Sequence, residues 1–210
     1  MNAQTERVQV PGPAGAIACA VDAPPQGQAK GLVVLCHPHP QHGGTMDNKV
    51  VQTLARAFVQ LGWRSVRFNF RGVGGSAGAW DEGRGEIDDA LAVIAASRKP
   101  AQPGHHERLV LGGFSFGAYV ASRAAERLPE GEKAERLVLV GPATSNFQVA
   151  AVPQDTLVIH GEADEVVPLQ ATLDWARPQT LPVMVIPGVG HFFHGQLSLL
   201  KSLVLRAFAA

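Results

Sequence analysis

Three segments of the sequence carry residue types that could together perform nucleophilic catalysis. The first is Gly113-Phe114-Ser115-Phe116-Gly117, and an acidic residue, Asp164, and a histidine, His191, follow later along the chain. A serine hydroxyl is a poor nucleophile at neutral pH. It becomes reactive when an imidazole accepts its proton and a third group orients that imidazole. The residue types therefore predict a triad in which Ser115 attacks a carbonyl, His191 transfers the proton and Asp164 orients His191.

The segment around Ser115 lies in the context that a nucleophile elbow requires. An apolar run over 109–114 ends there and a helical pattern begins at once, so the serine falls on a strand-to-helix turn. Such a turn strains its central residue and demands small residues two positions before and after it, which Gly113 and Gly117 provide. The backbone N–H of Phe116 then points to where an oxyanion would form. Taken alone, this segment is also compatible with a glycine-rich strand-to-helix turn whose serine has no catalytic role.

The acid and the base each follow an apolar run, and each has a neighbour of the same type. Asp164 stands in His160-Gly161-Glu162-Ala163-Asp164-Glu165, so Glu162 and Glu165 remain alternatives for the acid or are plain surface charges. His194 lies three residues after His191, near the predicted start of the last helix. We favour His191 because it comes directly after a strand, in a loop where its ring can swing over the serine.

The elements that must position these residues follow from the hydrophobic pattern. Apolar runs alternate with helical patterns of about a dozen residues, which predicts an α/β fold with a mostly parallel sheet and helices on both faces. The carboxyl ends of such strands meet at one sheet edge, where ligands bind. That edge would collect His37, His39, Arg71, Ser115, Asp164 and His191. The predicted strands are 7–10, 16–22, 32–36, 64–70, 108–114, 136–140, 156–161 and 183–186, and the predicted helices are 48–61 (capped by Thr45 or Asp47), 86–98, 116–128, 169–176 and 196–208.

Composition limits the class of protein. The 210 residues, 46% of them hydrophobic, predict a single domain spanning 1–210 with a full core. Eighteen basic residues balance eighteen acidic ones, which argues against nucleic acid or an anionic membrane as a partner and allows a homodimer. Cys19 and Cys36 lie in apolar runs and are expected to be buried free thiols. Without a leader or a long apolar run, we expect a cytoplasmic protein.

Along nearly its whole length the chain resembles the α/β-hydrolases. Gly-Phe-Ser-Phe-Gly at 113–117, His-Gly-Glu-Ala-Asp at 160–164 and Gly-His at 190–191 stand where that superfamily places nucleophile, acid and base. The resemblance implies a sheet of about eight strands with the second strand antiparallel. The stretch His-Pro-His-Pro-Gln-His-Gly-Gly-Thr-Met-Asp-Asn-Lys-Val, at 37–50, is similar to a loop of small bacterial hydrolases, most of them without an assigned substrate.

The resemblance also implies a second oxyanion donor and shows where a lid would be inserted. In that superfamily the second donor comes from the loop after the third strand, and here Pro38 and Pro40 have no N–H, so His39 is the expected backbone donor beside Phe116. Many relatives have His-Gly where this chain has His37-Pro38. The segment 141–155 is too short for the helical lid that lipases carry at this point. We therefore expect an open, shallow site that favours small acyl groups, with Trp80, Phe116, Phe147, Phe192 and Phe193 as candidate walls or core.

Three further patterns have competing interpretations. His37, His39 and His42 could bind a metal, but prolines stiffen their loop and it contains no acidic residue. The sequence of segment 72–77 matches the G-x-G-x-x-[GA] pattern of dinucleotide-binding sites. Glycines nevertheless continue the loop at the point where such a site requires a helix to begin. Arg71 could bind an anionic substrate group, and a salt bridge to Glu86 or Asp88 is the favoured interpretation. We therefore expect no metal and no cofactor.

These observations predict a serine hydrolase that cleaves carboxylic esters or related acyl bonds of small molecules through an acyl-enzyme. Peptidase, thioesterase and C–C hydrolase activities on the same fold remain alternatives. A hydrolase-shaped binding protein with a relic triad is the alternative from another class.

Overall fold

In the computed structural model, residues 5–25, 28–98, 100–102 and 105–209 are described, with the backbone alone for 100–102 and 105–106. This part of the chain forms ten strands, five α-helices and two short 3-10 helices, Pro40–His42 and Arg177–Gln179. The strands are β1 (Glu6–Gly12), β2 (Gly15–Asp22), β3 (Leu32–Cys36), β4 (Arg64–Phe68), β5 (Pro100–Gln102), β6 (His105–His106), β7 (Leu109–Phe114), β8 (Arg136–Val140), β9 (Leu157–Gly161) and β10 (Val183–Ile186). The helices are α1 (Lys49–Gln60), α2 (Arg84–Ser97), α3 (Phe116–Arg127), α4 (Leu169–Ala176) and α5 (Leu197–Phe208). No helix among the described residues is long and apolar enough to span a membrane.

Eight of the strands form one sheet in the order β1-β2-β4-β3-β7-β8-β9-β10. β2 is antiparallel to both of its neighbours, β1 and β4. The other neighbouring pairs of this sheet are all parallel: β4 with β3, β3 with β7, β7 with β8, β8 with β9 and β9 with β10. The inner strands β3, β7 and β9 are buried at every residue, as expected where helices cover both faces of a parallel sheet. The predicted eight-stranded, mostly parallel sheet with an antiparallel second strand is confirmed.

Two apolar cores lie on opposite faces of this sheet. On one face α1 and α5 pack together over the core that contains Phe58 and Phe114. On the other face α2 and α3 cover the core that contains Phe68 and Phe116, and Trp175 of α4 packs against its edge. Cys19 and Cys36 are buried free cysteines, one in β2 and one at the end of β3. The helices therefore clamp the sheet from both sides and leave its carboxyl edge to the loops.

The connection from β8 to β9 carries no lid. Residues 141–156 are all described and contain only turns and irregular backbone, as expected from the length of the segment. Backbone hydrogen bonds hold it against the sheet: Gly141 donates to Ile159 and Ala143 donates to Ser115. The sheet edge that carries Ser115 is therefore not covered by an inserted domain.

Two local predictions were wrong for identifiable reasons. The N-cap of α1 is Asn48, whose Oδ1 accepts the N–H groups of Val50 and Val51; Asp47 instead pairs with Arg7 and Arg67. The fourth strand ends at Phe68 and not at residue 70, because the Phe70 N–H donates to the buried ring of His37 and not to a neighbouring strand. The β5–β6 pair was not predicted at all.

Candidate active site

Ser115 occupies a strained turn between β7 and α3. Its φ is 58° and its ψ is −120°, a conformation that costs energy in a residue with a side chain and persists only where the surroundings enforce it. A Cβ on Gly113 would lie 2.1 Å from the Gly117 carbonyl oxygen, and a Cβ on Gly117 would lie 2.2 Å from the Cys36 carbonyl oxygen. Both glycines are therefore required by close backbone contacts, as the elbow interpretation expects.

His191 and Asp164 form a short buried hydrogen bond. Nδ1 of His191 lies 2.6 Å from Oδ2 of Asp164, and Oδ1 of Asp164 accepts the N–H groups of Val166 at 2.9 Å and Val167 at 2.7 Å. Burial by itself raises the pKa of Asp164, but the hydrogen bonds from His191 and Val167 outweigh it, so the pKa lies below its ordinary value. Asp164 is therefore an ionised carboxylate that fixes His191 with Nδ1–H donating and Nε2 free to accept a proton.

The imidazole of His191 lies over the end of β7, beside the serine turn. Its ring centroid is 4.8 Å from that of Phe114, the residue before Ser115. A Cβ on Gly141 would be only 3.3 Å from Cε1 of His191, and Ser115 N–H donates to Val140, the residue before that glycine, at 2.9 Å. Among the hydrogen bonds of the described residues, none joins the Ser115 hydroxyl to the ring. Catalytic hydrogen bonds are often long without substrate and tighten in the bound complex.

The alternative acid and base residues lie elsewhere. His194 is exposed and precedes α5, with its ring beside Phe192. Glu162 is exposed and its Oε2 accepts the Gly188 N–H at 2.9 Å, and Glu165 is exposed. The geometry therefore brings His191 and Asp164 together at the serine turn and does not bring His194, Glu162 or Glu165 there.

The loop after β3 approaches the N-terminus of α3 closely. His37 is fully buried; its Nδ1 lies 2.6 Å from the Pro38 carbonyl oxygen and its Nε2 accepts the Phe70 N–H at 3.1 Å. Burial lowers the pKa of His37 to about 4, so the ring is neutral and serves as a fixed donor and acceptor. Within the described chain, the N–H groups of His39 and Phe116 donate to no protein acceptor. Neither N–H group is therefore committed to a hydrogen bond within the described protein.

Aromatic rings surround His39. Its imidazole centroid lies 4.5 Å from Trp80, 5.1 Å from Phe116 and 5.9 Å from Phe147. Phe116 and Phe193 are fully buried and belong to the two cores, whereas Phe192 is 46% exposed. Of the five candidate wall residues, Trp80, Phe147 and Phe192 therefore retain accessible surface near the site.

Arg71 is a structural residue, but its predicted partner was wrong. Its guanidinium forms a bidentate pair with buried Asp89, at 3.0 Å from Nε to Oδ2 and 2.8 Å from Nη2 to Oδ1. Glu86 instead accepts backbone N–H groups of the preceding loop, and Asp88 pairs with Arg127. The three carboxylates lie within about one turn of α2, so the packing of the helix decides which one faces Arg71.

The histidines of the 37–42 loop do not converge. Both ring nitrogens of His37 have protein partners, whereas the rings of His39 and His42 stack at 4.5 Å. No cluster of three or more His, Cys, Asp or Glu side chains within the described ranges is arranged to hold a metal ion.

His160 contacts the Asp164 loop but was not predicted from the sequence. This residue is fully buried in β9, and its Nε2 lies 3.5 Å from Oδ2 of Asp164 and 2.9 Å from the Val167 carbonyl oxygen. Its position four residues before Asp164, within a buried strand, was the available signal. Nothing in the linear sequence shows which ring nitrogen faces the carboxylate.

Comparison with known proteins places this geometry in a family. A family model described as serine aminopeptidase, S33, matches residues 27–148. The chain is 38% identical to a serine hydrolase without a lid from Xanthomonas campestris, with a TM-score of 0.85 over 99% of this chain and 94% of that one. It is 37% identical to an α/β serine hydrolase homologue from Coxiella burnetii, with a TM-score of 0.80 over 96% of each chain.

A third relative is an uncharacterised protein of Rickettsia prowazekii, 31% identical over 175 residues that make up 77% of this chain and 71% of the relative. The fold, the strained turn at Ser115 and the similar proteins all indicate the same family. The chain therefore belongs to the serine aminopeptidase S33 family of α/β-hydrolases.

Proposed function

We propose that the protein hydrolyses carboxylic esters of small molecules through a Ser115–His191–Asp164 triad. The observation that carries this proposal is the buried 2.6 Å contact between His191 Nδ1 and Asp164 Oδ2 at the same sheet edge as the strained Ser115 turn. His191 Nε2 removes the Ser115 proton as the oxygen attacks the carbonyl carbon. The resulting imidazolium, stabilised by Asp164, returns the proton to the leaving alkoxide. Water then repeats the sequence on the acyl-enzyme and releases the acid.

The backbone N–H groups of Phe116 and His39 stabilise the oxyanion in this proposal. Phe116 is the first residue of α3, where the helix leaves its N–H without an internal partner. His37 supports the second donor, because its ring links Pro38 to Phe70, which follows β4. Preorganised donors of this kind are each worth about 3 kcal/mol in the transition state.

The connection from β8 to β9 supports small acyl substrates. It contributes no helix above the site, so little surface is available to bury a long chain. Peptide substrates form the second candidate, because the matching family model is described as a serine aminopeptidase. The two candidates share the acyl-enzyme chemistry and differ in the leaving group.

A kinetic comparison of matched variants tests the proposal. We expect wild-type protein to hydrolyse p-nitrophenyl acetate and butyrate with a larger kcat/KM than alanine p-nitroanilide. Ser115→Ala and His191→Gln should each lose at least about a thousandfold in kcat, as triad members do. His194→Gln is the matched control, since the exposed ring three residues away should be dispensable.

Wild-type turnover in Ser115→Ala would refute the triad. A preference for the anilide would retain the triad and replace the ester assignment by the aminopeptidase one.

A further inference from the structure

A chain of hydrogen bonds runs from His160, which lies beside Asp164, into the protein behind the site. His160 Nε2 lies 2.9 Å from the Val167 carbonyl oxygen and 3.5 Å from Asp164 Oδ2. On the other side of the ring, Nδ1 lies 3.2 Å from the Thr172 hydroxyl of α4. That hydroxyl lies 3.1 Å from the hydroxyl of Thr144, in the β8–β9 connection. The chain therefore joins strand β9, helix α4 and the loop that contains Gly141.

The contacts of His160 determine its tautomer. Nε2 faces two acceptors, a carbonyl and a carboxylate, so a lone pair there would be repelled by both and the proton must reside on Nε2. Nδ1 then carries the lone pair and accepts the Thr172 hydroxyl proton, which leaves the Thr172 oxygen to accept from Thr144. Every group in the chain has one role, and all donors point toward Asp164.

We propose that His160 is a positioning residue: its Nε2–H donates to the Val167 carbonyl of the Asp164 loop, lies 3.5 Å from the Asp164 carboxylate, and so holds Asp164 in the orientation that binds His191. His160 also fixes the position of Asp164 through the backbone of Val167. His160 binds the Val167 carbonyl oxygen, and the Val167 N–H donates to Asp164 Oδ1 at 2.7 Å. This inference rests on the proposed function, because it assigns His160 a task only if His191 is the base.

The surrounding charges allow His160 to act as a neutral dipole. In the described chain, the ionisable groups that act on Asp164 are His191 and His160, and those that act on His160 are Asp164 and His191. Burial lowers the pKa of His160 below its ordinary value, with the Val167 carbonyl and Asp164 opposing that effect. The positive end of the Nε2–H dipole partly offsets the negative potential that Asp164 exerts at His191.

Removal of this dipole should change the pH profile. In His160→Leu, Asp164 holds the proton on His191 more tightly and is itself less stabilised as an anion. Both effects raise the pH at which the base becomes protonated, so the acid limb of kcat/KM should move to higher pH. We also expect kcat to fall about 10- to 100-fold with little change in KM, since a misplaced base affects the chemical step.

Three variants separate positioning from packing. His160→Gln keeps an amide N–H near the place of Nε2 and should restore the acid limb and most of the rate. Thr172→Val removes the hydroxyl that donates to His160 Nδ1 and should shift the limb in the same direction by less. Thr53→Val is the control, because Thr53 is a buried threonine of α1 whose hydroxyl donates only to its own helix, at the Lys49 carbonyl.

A spectroscopic measurement makes the test independent of activity. The His191 Nδ1 proton in its 2.6 Å contact with Asp164 should give a low-field ¹H resonance that is absent in Asp164→Asn. That resonance should move in His160→Leu and Thr172→Val and stay in place in Thr53→Val. An unchanged resonance and an unchanged acid limb in the first two variants would overturn the proposal.

If His160→Leu does not fold, Thr172→Val decides. If the wild type shows no Ser115-dependent hydrolysis, the proposed function fails while the resonance still decides the role of His160.

Discussion

At the scale of single residues, the site depends on glycines as much as on its reactive side chains. Gly141 has a φ of +49°, and the ring of His191 lies against the place where its side chain would be. An added methyl group would meet Cε1 and Nδ1 of His191 at 3.3 and 3.4 Å and Asp164 Oδ2 at 3.6 Å. The absence of a side chain at 141 therefore allows the imidazole to occupy its position.

Gly141→Ala should displace the His191 ring and lower kcat/KM by about 100-fold, the effect of a shift near 1 Å in a catalytic group. The substitution also forces alanine into a left-handed conformation, which costs stability. Gly131→Ala is the matched control: its φ is +86°, and no described atom lies within 4 Å of the added Cβ. Steady-state kinetics and urea unfolding of both variants separate backbone strain from ring displacement. Equal kcat/KM in the two variants would show that the ring does not depend on Gly141.

The sequence identifies candidate reactive residues more readily than it identifies their hydrogen-bond partners. Ser115 was identifiable because the elbow constrains residues two positions away on either side, which is a local requirement. The partners of His160 and Arg71 are instead set by tertiary packing. Thr172 and Thr144 lie in different elements from His160, and Asp89 was one of three carboxylates along the same helix.

At the scale of elements, the bounds predicted for β3, β8, β10 and α4 agree with the structure, and those for the buried strands β7 and β9 differ by one residue. In β3, β7, β8 and β9 an apolar run between polar ends defines a strand that is covered on both faces. The start of α1 was less certain, since Thr45, Asp47 and Asn48 are all capable caps and the choice depends on the pairing of Asp47 with arginines. The end of β4 was missed because a side chain, His37, replaces a strand as the partner of Phe70.

Parallel strands explain how distant residues meet. Ser115, Asp164 and His191 each follow a strand, and β7, β8, β9 and β10 are consecutive and parallel in the sheet. Their carboxyl ends therefore bring the three residues to one edge of the sheet, although the residues are far apart in the sequence.

At the scale of the whole molecule, His37 makes stability depend on pH. Burial holds the pKa of His37 near 4, compared with 6.5 for the free side chain. Between these values the unfolded chain binds a proton that the folded chain does not, so stability is complete above about pH 6.5 and is lost as the pH falls. From pH 7.5 to pH 5 this group alone should lower the free energy of unfolding by about 2 kcal/mol.

Urea unfolding over this pH range measures the effect. His37→Gln keeps a donor and an acceptor but does not titrate, and its free energy of unfolding should fall less steeply than that of the wild type. His194→Gln, which alters an exposed ring, should retain the wild-type slope. Equal slopes in wild type and His37→Gln would show that His37 is protonated in the folded protein as readily as in the unfolded chain.

The central claim is that Ser115 is a nucleophile activated by His191 and Asp164, and covalent labelling tests it most directly. Wild-type protein treated with a fluorophosphonate should gain one adduct, located by mass spectrometry on the peptide that contains Ser115. His191→Gln should react at least about a hundredfold more slowly, because the hydroxyl then has no base. Ser115→Ala should gain no adduct. An adduct on another residue, or equal labelling rates in wild type and His191→Gln, would contradict the account.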